Sequence, residues 1–282
     1  MQRMSRQADI YIAGVPAPPF LVGINDLLLG FKNYRLWTFL GWQDIRQRYR
    51  RSILGPFWIT LSTGVTVLIM SLLYGRLFHM PMDVFAPFLS AGMIIWAFML
   101  TLVNEGCSSF MAADGMIKQV RLPLSLHVMR VIWRNFIIFL HNIVILVPVW
   151  FVFGKTVSVF NLLVAILGLL LIAVNALWSG MLLGALCARY RDIPPIVGTF
   201  MQAAFFITPI MWLPSILQSR GIANWLVVFN PFYHLVQVIR APLLGEAFPV
   251  ASFASVTVIS VVGMTVAIAF LGLYKKSIPY WL

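Results

Sequence analysis

The sequence predicts an all-α integral membrane protein with six transmembrane helices, an N-terminal amphipathic interface helix and re-entrant helices before the last span. Of 282 residues, 61% are hydrophobic and only 10% are charged, whereas soluble domains average roughly 25% charged residues. Uncharged runs long enough to cross a bilayer, about 20 residues each, recur along the chain. The basic residues between these runs concentrate in segments that one side of the membrane would hold.

The net charge of +12 does not indicate binding to nucleic acid, because no soluble scaffold is present to display a basic patch. The excess of basic residues on one membrane side accounts for it better. Cys107 and Cys187 lie far apart, in or beside apolar segments, so neither a disulfide framework nor a metal site is expected. A cleavable signal peptide is not expected either, because prolines and a glycine interrupt the early apolar stretch 10–24.

The chain is organised around the stretch 44–58, DIRQRYRRSILGPFW. Four arginines crowd together in it: Arg46, Arg48, Arg50 and Arg51. Apolar residues recur at helical spacing on one face: Trp42, Ile45, Tyr49 and Ile53. Within residues 31–53 we therefore expect a helix in the membrane interface, with arginines toward anionic headgroups. An ordinary solvated basic loop is the alternative. The Gly55-Pro56 break then divides a cytoplasmic segment, 1–55, from a transmembrane domain, 56–282.

Six uncharged runs are predicted to span the membrane: 57–75, 84–104, 135–154, 156–188, 193–219 and 247–274. A further run, 221–239, contains Asn230-Pro231, which would interrupt a helix near its middle. Non-helical backbone survives at membrane depth only where protein or water satisfies it. Residues 209–240 are therefore predicted to form short helices that dip into, or lie on, the outer face.

The distribution of charge gives the orientation. With six spans and a cytoplasmic N-terminus, 16 of the 20 Lys and Arg residues lie inside, a strong positive-inside bias. Seven spans would leave 15 of the 20 inside. The rule therefore places the N-terminus in the cytoplasm but does not decide between six and seven spans. With six, both termini are cytoplasmic.

The sequence offers little for catalysis. The acidic residues form no close pair, and the histidines lack metal-ligand spacing. His141 and His234 are candidates for membrane depth, where a polar residue marks a functional site by default; a hydrogen bond between helices is the simpler interpretation. Gly154-Lys155-Thr156 looks like the end of a phosphate-binding loop, but Val149 stands where the first glycine belongs. Gly180 and Gly184 are expected to pack helices within the protomer more than between protomers.

The loop after the second span contains a predicted short helix that ends at Pro123. Ser108 or Ser109 would cap it, and its apolar contacts would come from Met111, Met116, Ile117 and Val120. Such an ordered helix suits docking of a soluble partner, and a tight turn against the headgroups is the alternative. Around the broken outer segment lies a cluster of aromatic residues: Phe205, Phe206, Trp212, Trp225, Phe229, Phe232 and Tyr233. These residues suit a membrane belt or contact with sugar rings.

Four motifs resemble those of polysaccharide-exporting type-2 ABC transporter permeases, the family that exports O-antigen and capsule. The stretch 44–58 resembles the family's entry segment D-x-x-x-R-Y-x-x-S-x-L-G-x-x-W, and 116–123 resembles its L-I-x-x-x-x-x-P loop. Its Y-R-D segment is similar to Tyr190-Arg191-Asp192, and its T-P-I segment to Thr208-Pro209-Ile210. Its late N-P turn is similar to Asn230-Pro231. Where the family often has a proline in the first span, this chain has Ser62-Thr63-Gly64.

The resemblance implies a homodimeric permease in the inner membrane that exports a lipid-linked polysaccharide. It implies no cofactor in this chain, because two copies of a separate ABC ATPase subunit would hold ATP and Mg²⁺. The residues implied to contact the ATPase are Asp44, Arg46, Arg48, Arg50, Arg51, Asp114, Gly115, Lys118 and Arg121. The broken outer segment would form gate helices, with its aromatic cluster along the sugar path. The alternatives are a permease for teichoic acid or a small lipophilic compound, a membrane-embedded transferase for lipid-linked sugars, and an ion-coupled transporter.

Overall fold

The computed structural model describes residues 11–12, 15–16, 18–50, 57–77, 79–214 and 223–282. A short antiparallel pair, Tyr11–Ile12 with Val15–Pro16, comes before the first helix. Nearly all other described residues are helical. The predicted interface residues Arg51 and Ile53, and the Gly55-Pro56 break, lie outside the described residues.

Two helices run before the first span, where the sequence predicted one. They are α1 (Pro19–Lys32) and α2 (Tyr34–Arg48). The predicted apolar face is only partly buried: Ile45 is buried, but the side chain of Trp42 is 51% exposed. Phe39 is exposed as well, so α2 directs aromatic rings outward, as expected of a helix in the membrane interface.

The membrane domain begins with three long helical segments: α3 (Phe57–Leu77), α4 (Met82–Ser108), and α6 (Leu124–Ile143) continued by α7 (Leu146–Val152). A 3₁₀ turn (Met111–Ala113) and the short helix α5 (Asp114–Gln119) lie between α4 and α6. The chain continues with α8 (Val159–Arg189), α9 (Ile193–Ile207), α10 (Ala223–Val228), α11 (Pro231–Leu243), α12 (Val250–Tyr274) and α13 (Ile278–Trp281).

Five helical segments are long and apolar enough to cross a membrane: α3, α4, α6 with α7, α8 and α12. The sixth predicted crossing, 193–219, is shorter than expected. Its helix α9 has 15 residues, or about 22 Å at 1.5 Å per residue, against a hydrocarbon core of about 30 Å. Pro209 ends it, because the residue before a proline, here Thr208, is pushed into extended backbone.

Helix α4 lies at the centre of the bundle, in contact with α3, α6, α8, α9 and α11. Its side chains Phe85, Leu89 and Ile94 are almost completely buried. The short helix α11 packs among α4, α8 and α12 instead of crossing beside them. This confirms short helices before the last span.

The N-terminal helix α1 packs on α12 and on the start of α6. Two glycines permit this contact. A Cβ on Gly23 would lie 2.1 Å from the carbonyl oxygen of Ile268, and a Cβ on Gly272 would lie 1.7 Å from that of Pro19. The two backbones are therefore too close for any other residue type at these positions.

Candidate functional site

A buried cluster of charge joins α2 to α6. The Asp44 carboxylate of α2 accepts hydrogen bonds from Nε and Nη2 of Arg130 and, at 2.8 Å, from Nη1 of Arg134. The three side chains are only 11%, 22% and 15% exposed. Paired Arg–carboxylate contacts of this kind are strong and geometrically specific.

Glu105, near the end of α4, extends this cluster to a third helix. Its carboxylate accepts from Nη2 of Arg134 at 2.6 Å and from Nη2 of Arg48 on α2 at 2.8 Å. Asn135 also donates to it. Arg134 thus bridges Asp44 and Glu105. We call Asp44, Arg48, Glu105, Arg130 and Arg134 the charge network.

The spacing of these residues explains the pairing. Asp44 and Arg48 are four residues apart on α2, and Arg130 and Arg134 are four apart on α6, so each pair lies on one helix face. Burial disfavours the charged form of Arg48, but the hydrogen bond and negative charge of Glu105 outweigh this and raise its pKa. The charge network therefore holds α2 firmly against α4 and α6.

A second buried carboxylate fixes α1 to α6. The side chain of Asp26 is completely buried. It accepts hydrogen bonds from the backbone N–H groups of Leu124 and Ser125, at 3.1 and 2.9 Å, and forms an ion pair of 2.8 Å with Lys275. A negative charge at the first turn of α6 satisfies its unpaired N–H groups and its dipole.

The loop between α4 and α6 presents a short helix at the same end of α4 as Glu105. In α5, Asp114 and Lys118 form an exposed ion pair of 2.8 Å. No described atom lies within 4 Å of the position that a Cβ on Gly115 would take. The 3₁₀ turn and Phe110, which is completely buried, attach the loop to the bundle. The C-terminal helix α13 also contacts α5. The loop is therefore a fixed knob with a free outer face.

The nine residues predicted to contact an ATPase differ in their exposure, and two of them, Asp114 and Gly115, lie on the knob described above. Arg46, Arg50, Lys118 and Arg121 are exposed, as a docking surface requires. Asp44 instead faces α6 within the same chain, and Arg48 pairs with Glu105 while remaining 42% exposed. Arg51 lies outside the described residues.

At the opposite end of α4, two side chains of α11 hold the end of α9. Asn230 donates from Nδ2 to Thr208 Oγ1 at 3.1 Å, and its Oδ1 caps α11 by accepting from the N–H of Phe232. Arg240 donates from Nη1 to the carbonyl oxygen of Pro209 at 2.6 Å. We call Thr208, Pro209, Asn230 and Arg240 the outer clamp.

Arg240 is 1% exposed, and none of the ion pairs among the described residues includes it. The groups in direct contact with its guanidinium are neutral. Nε and Nη2 donate to Oε1 of Gln237, and the guanidinium carbon lies 4.0 Å from the ring centre of Phe88 on α4. A cation over an aromatic face is stabilised by the ring electrons. Arg240 thus joins α4, α9 and α11.

The predicted aromatic cluster does not form one surface. Phe205 and Phe232 pack against Trp96 of α4, and their ring centres lie 5.7 and 5.6 Å from the ring centre of Trp96. Phe206, Trp225 and Phe229 are 71%, 59% and 80% exposed. Two further members are partly buried: Trp212, which donates to the carbonyl oxygen of Phe206, and Tyr233, which lies edge-on to His234.

The two histidines and the glycine pair have structural partners. His234 forms hydrogen bonds with Ser252 of α12 and with the carbonyl oxygen of Val228, which agrees with a hydrogen bond between helices. His141 instead bonds the carbonyl oxygen of Ile137 in its own helix. A Cβ on Gly184 would lie 3.2 Å from a backbone oxygen of α4, and one on Gly180 would lie 2.6 Å from a side chain of α6. The glycine pair packs helices within the protomer, as predicted.

Sequence reasoning did not single out Asp26, Arg130, Arg134 or Arg240 as site residues. Their one visible signal is polarity: Arg130 and Arg134 recur at helical spacing beside an apolar run. Asp44 lies 86 residues from Arg130, and Asp26 lies 99 residues from Ser125 at the start of α6. Periodicity reports the face of one helix but not the helix that it meets.

Comparison with known proteins identifies the chain. The family model described as ABC-2 type transporter matches residues 35–244, a range that includes the charge network, the exposed knob and the outer clamp. The chain belongs to the ABC-2 type transporter family.

Relatives of known name agree with this family. The chain is 24% identical over 224 residues to the O-antigen export system permease protein RfbA of Myxococcus xanthus, covering 77% of this chain and 85% of the relative. It is 22% identical over 242 residues to the protein of the same name from Klebsiella pneumoniae, covering 83% and 88%. A second Klebsiella pneumoniae relative of that name is 21% identical over 242 residues.

Proposed function

We propose that this ABC-2 family chain is the permease subunit of an exporter that moves a lipid-linked polysaccharide outward across the inner membrane. The match of residues 35–244 to the family is the observation that supports this most. The relatives' printed names supply the substrate class. The arrangement of an exposed knob on helices tied together by buried charge fits a subunit that is pushed by a partner.

We propose two copies of the chain with two copies of a separate ABC ATPase. ATP and Mg²⁺ would bind to the ATPase, and this chain would contribute the docking surface. The surface comprises α5 and the exposed arginines at the end of α2 and just after it, among them Arg46 and Arg50. The positive-inside bias supports cytoplasmic placement of both termini and of the charge network.

Force would pass from the docking surface to the outer clamp through α4. When the ATPase pair closes, it would displace α5 and α2. The charge network makes α2 move with Glu105 at the end of α4 and with Arg134 on α6. At its other end α4 contacts Arg240 through Phe88. ATP binding would thereby shift the population of closed and open arrangements of α9 and α11.

The exposed aromatic side chains near the clamp suit a sugar path. Phe206, Trp225 and Phe229 offer flat apolar faces that match the C–H faces of sugar rings. Phe205 and Phe232, which pack against Trp96, would position the path without lining it throughout. Tyr233 and Trp212 are partly buried beside them.

Co-purification with an ABC ATPase tests the function. We expect the chain, expressed together with the ATPase of its own operon or nearest exporter, to form a stable complex that hydrolyses ATP, at a rate that changes when lipid-linked polysaccharide is added. A chain that purifies alone and converts a lipid-linked sugar to a new product would instead support the transferase alternative.

A further inference from the structure

An apolar groove runs between α8 and α9, closed on its inner side by α4 and at its end by α11. Its volume is about 470 Å³. Leu186, near the end of α8, lines one extremity, and Ile172 and Phe232 line the other. From Leu186 to Ile172 the helix rises about 21 Å at 1.5 Å per residue. The groove therefore extends past the bilayer midplane, which lies about 15 Å below the edge of the hydrocarbon.

One end of the groove lies at the membrane face that holds the charge network. Leu186 lies three residues before Arg189, and Val197, on the opposite wall, follows Arg191 closely. Gly184 of α8 lies against Gly106 of α4, close to Glu105 of the charge network. An apolar chain in the leaflet on this face can therefore enter the groove without crossing the bilayer.

The few polar groups in the wall are already paired. Asn175 donates to Ser260 and to the carbonyl oxygen of Leu171, and its Oδ1 accepts from Nε1 of Trp178. The hydroxyl of Ser179 donates to the backbone oxygen of Asn175. Water, a sugar or a phosphate group would lose hydrogen bonds on entering the groove, because these wall groups already have partners. Hydrocarbon forms no hydrogen bonds and would incur no such free-energy cost.

A space of this size is not expected to stay empty. The cost of an empty apolar cavity grows with its volume, and apolar cavities of about 150 Å³ already exclude water and take up hydrocarbon. At roughly 30 Å³ for each water-sized group, the groove has room for about 16 heavy atoms. This matches one acyl chain of ordinary length and is too small for a carrier of many isoprenoid units.

We propose that the groove binds one acyl chain of a membrane phospholipid, whose end packs against the start of α11. Pro231, Phe232 and Leu235 of α11 all line the groove, so the bound chain supports the helix that forms the outer clamp. The binding itself does not depend on export. Two points rest on the proposed exporter function: that the leaflet is the inner one, and that α11 is part of the gate.

Native mass spectrometry of the purified full chain, after incubation with dipalmitoyl phosphatidylglycerol and an equal amount of a long polyprenyl phosphate, tests the proposal. We expect one phosphatidylglycerol per chain. Leu183→Trp, which fills the groove, should lower its retention about tenfold. Leu170→Trp is the matched control, because Leu170 is an exposed leucine of the same helix that does not line the groove. If Leu183→Trp does not purify, Val197→Phe repeats the test from the opposite wall.

Equal retention by Leu183→Trp and Leu170→Trp, or no bound phospholipid, would overturn the proposal. Retention of the polyprenyl phosphate in its place would show that the occupant is the lipid carrier. Oxidative cross-linking of Val197→Cys between two chains would show that a second copy covers the groove. Each of these results leaves the ATPase assay unaffected, so failure of the lipid site and failure of the exporter function are distinguishable.

Discussion

The carboxylate of Asp44 on α2 accepts hydrogen bonds from Nε and Nη2 of Arg130 on α6, although the two residues are 86 positions apart in sequence. Both side chains are largely buried. This pair links the helix before the first span to the start of a helix inside the bundle. It makes the N-terminal segment part of the membrane domain's rigid framework.

Asp44→Asn is expected to destabilise the protein strongly. The substitution leaves the guanidinium groups of Arg130 and Arg134 largely buried without their full charge partner, which costs about 3 kcal/mol. The melting temperature of the purified chain should fall clearly. Asp114→Asn is the control, because it removes an exposed ion pair worth at most about 1 kcal/mol. Equal melting temperatures for the two variants would contradict a structural role of the charge network.

The knob should be needed for coupling but not for folding. Charge reversal at the exposed Lys118 and Arg121, to Glu, is expected to weaken ATPase binding by about tenfold or more, since each docking charge is worth about 1 kcal/mol or more when paired across an interface. The melting temperature should change little, because the ion pair between Lys118 and Asp114 that is lost is exposed. Lys155→Glu is the matched control, because it reverses a charge at the opposite end of the spans and should leave ATPase binding unchanged. Normal polysaccharide export by the Lys118 and Arg121 variant would remove α5 from the docking surface.

The outer clamp can be separated from the cap of α11. Asn230→Ala removes both the cap and the bond to Thr208, whereas Thr208→Val removes only the bond. We expect Asn230→Ala to cost about 1 kcal/mol of stability from the lost cap, and both variants to impair export. If Thr208→Val exports at the normal rate while Asn230→Ala does not, the cap alone matters and the bond between Asn230 and Thr208 has no part in gating.

The contact of α1 with α12 rests on glycine. Gly23→Ala would place a Cβ 2.1 Å from the carbonyl oxygen of Ile268, so the helices must separate, at a cost of about 3 kcal/mol or more. Gly198→Ala is the matched helical control, because no described atom lies within 4 Å of its added Cβ. It should stabilise the chain slightly, by about 0.5 kcal/mol. Thermal unfolding of both variants provides the comparison.

The sequence predicted the elements that depend on local patterns. The long apolar helices, the short helix in the loop after α4 and the break at Thr208-Pro209 follow from hydropathy and from proline. It predicted the apolar face of α2 less well, because the exposed side chain of Trp42 obeys the same spacing as the buried side chain of Ile45. Spacing alone does not distinguish contact with lipid from contact with protein.

The parts that the sequence did not predict depend on contacts between distant segments. Residues 1–30 look uninformative by composition, yet Asp26 caps α6 and pairs with Lys275. Arg240 appears in sequence as an ordinary exposed cation, but the structure buries it over Phe88. No periodicity encodes such partners, because each is set by how the helices pack.

The most direct test of the central claim is transport in proteoliposomes that contain the chain and its ABC ATPase. The quantity to measure is lipid-linked polysaccharide that becomes accessible to a glycosidase on the side opposite the ATPase. The account predicts accumulation that requires ATP, both subunits and an intact Lys118–Arg121 surface. Accumulation without ATP or without the ATPase, or ATP hydrolysis by the complete complex with no polysaccharide moved, would contradict it.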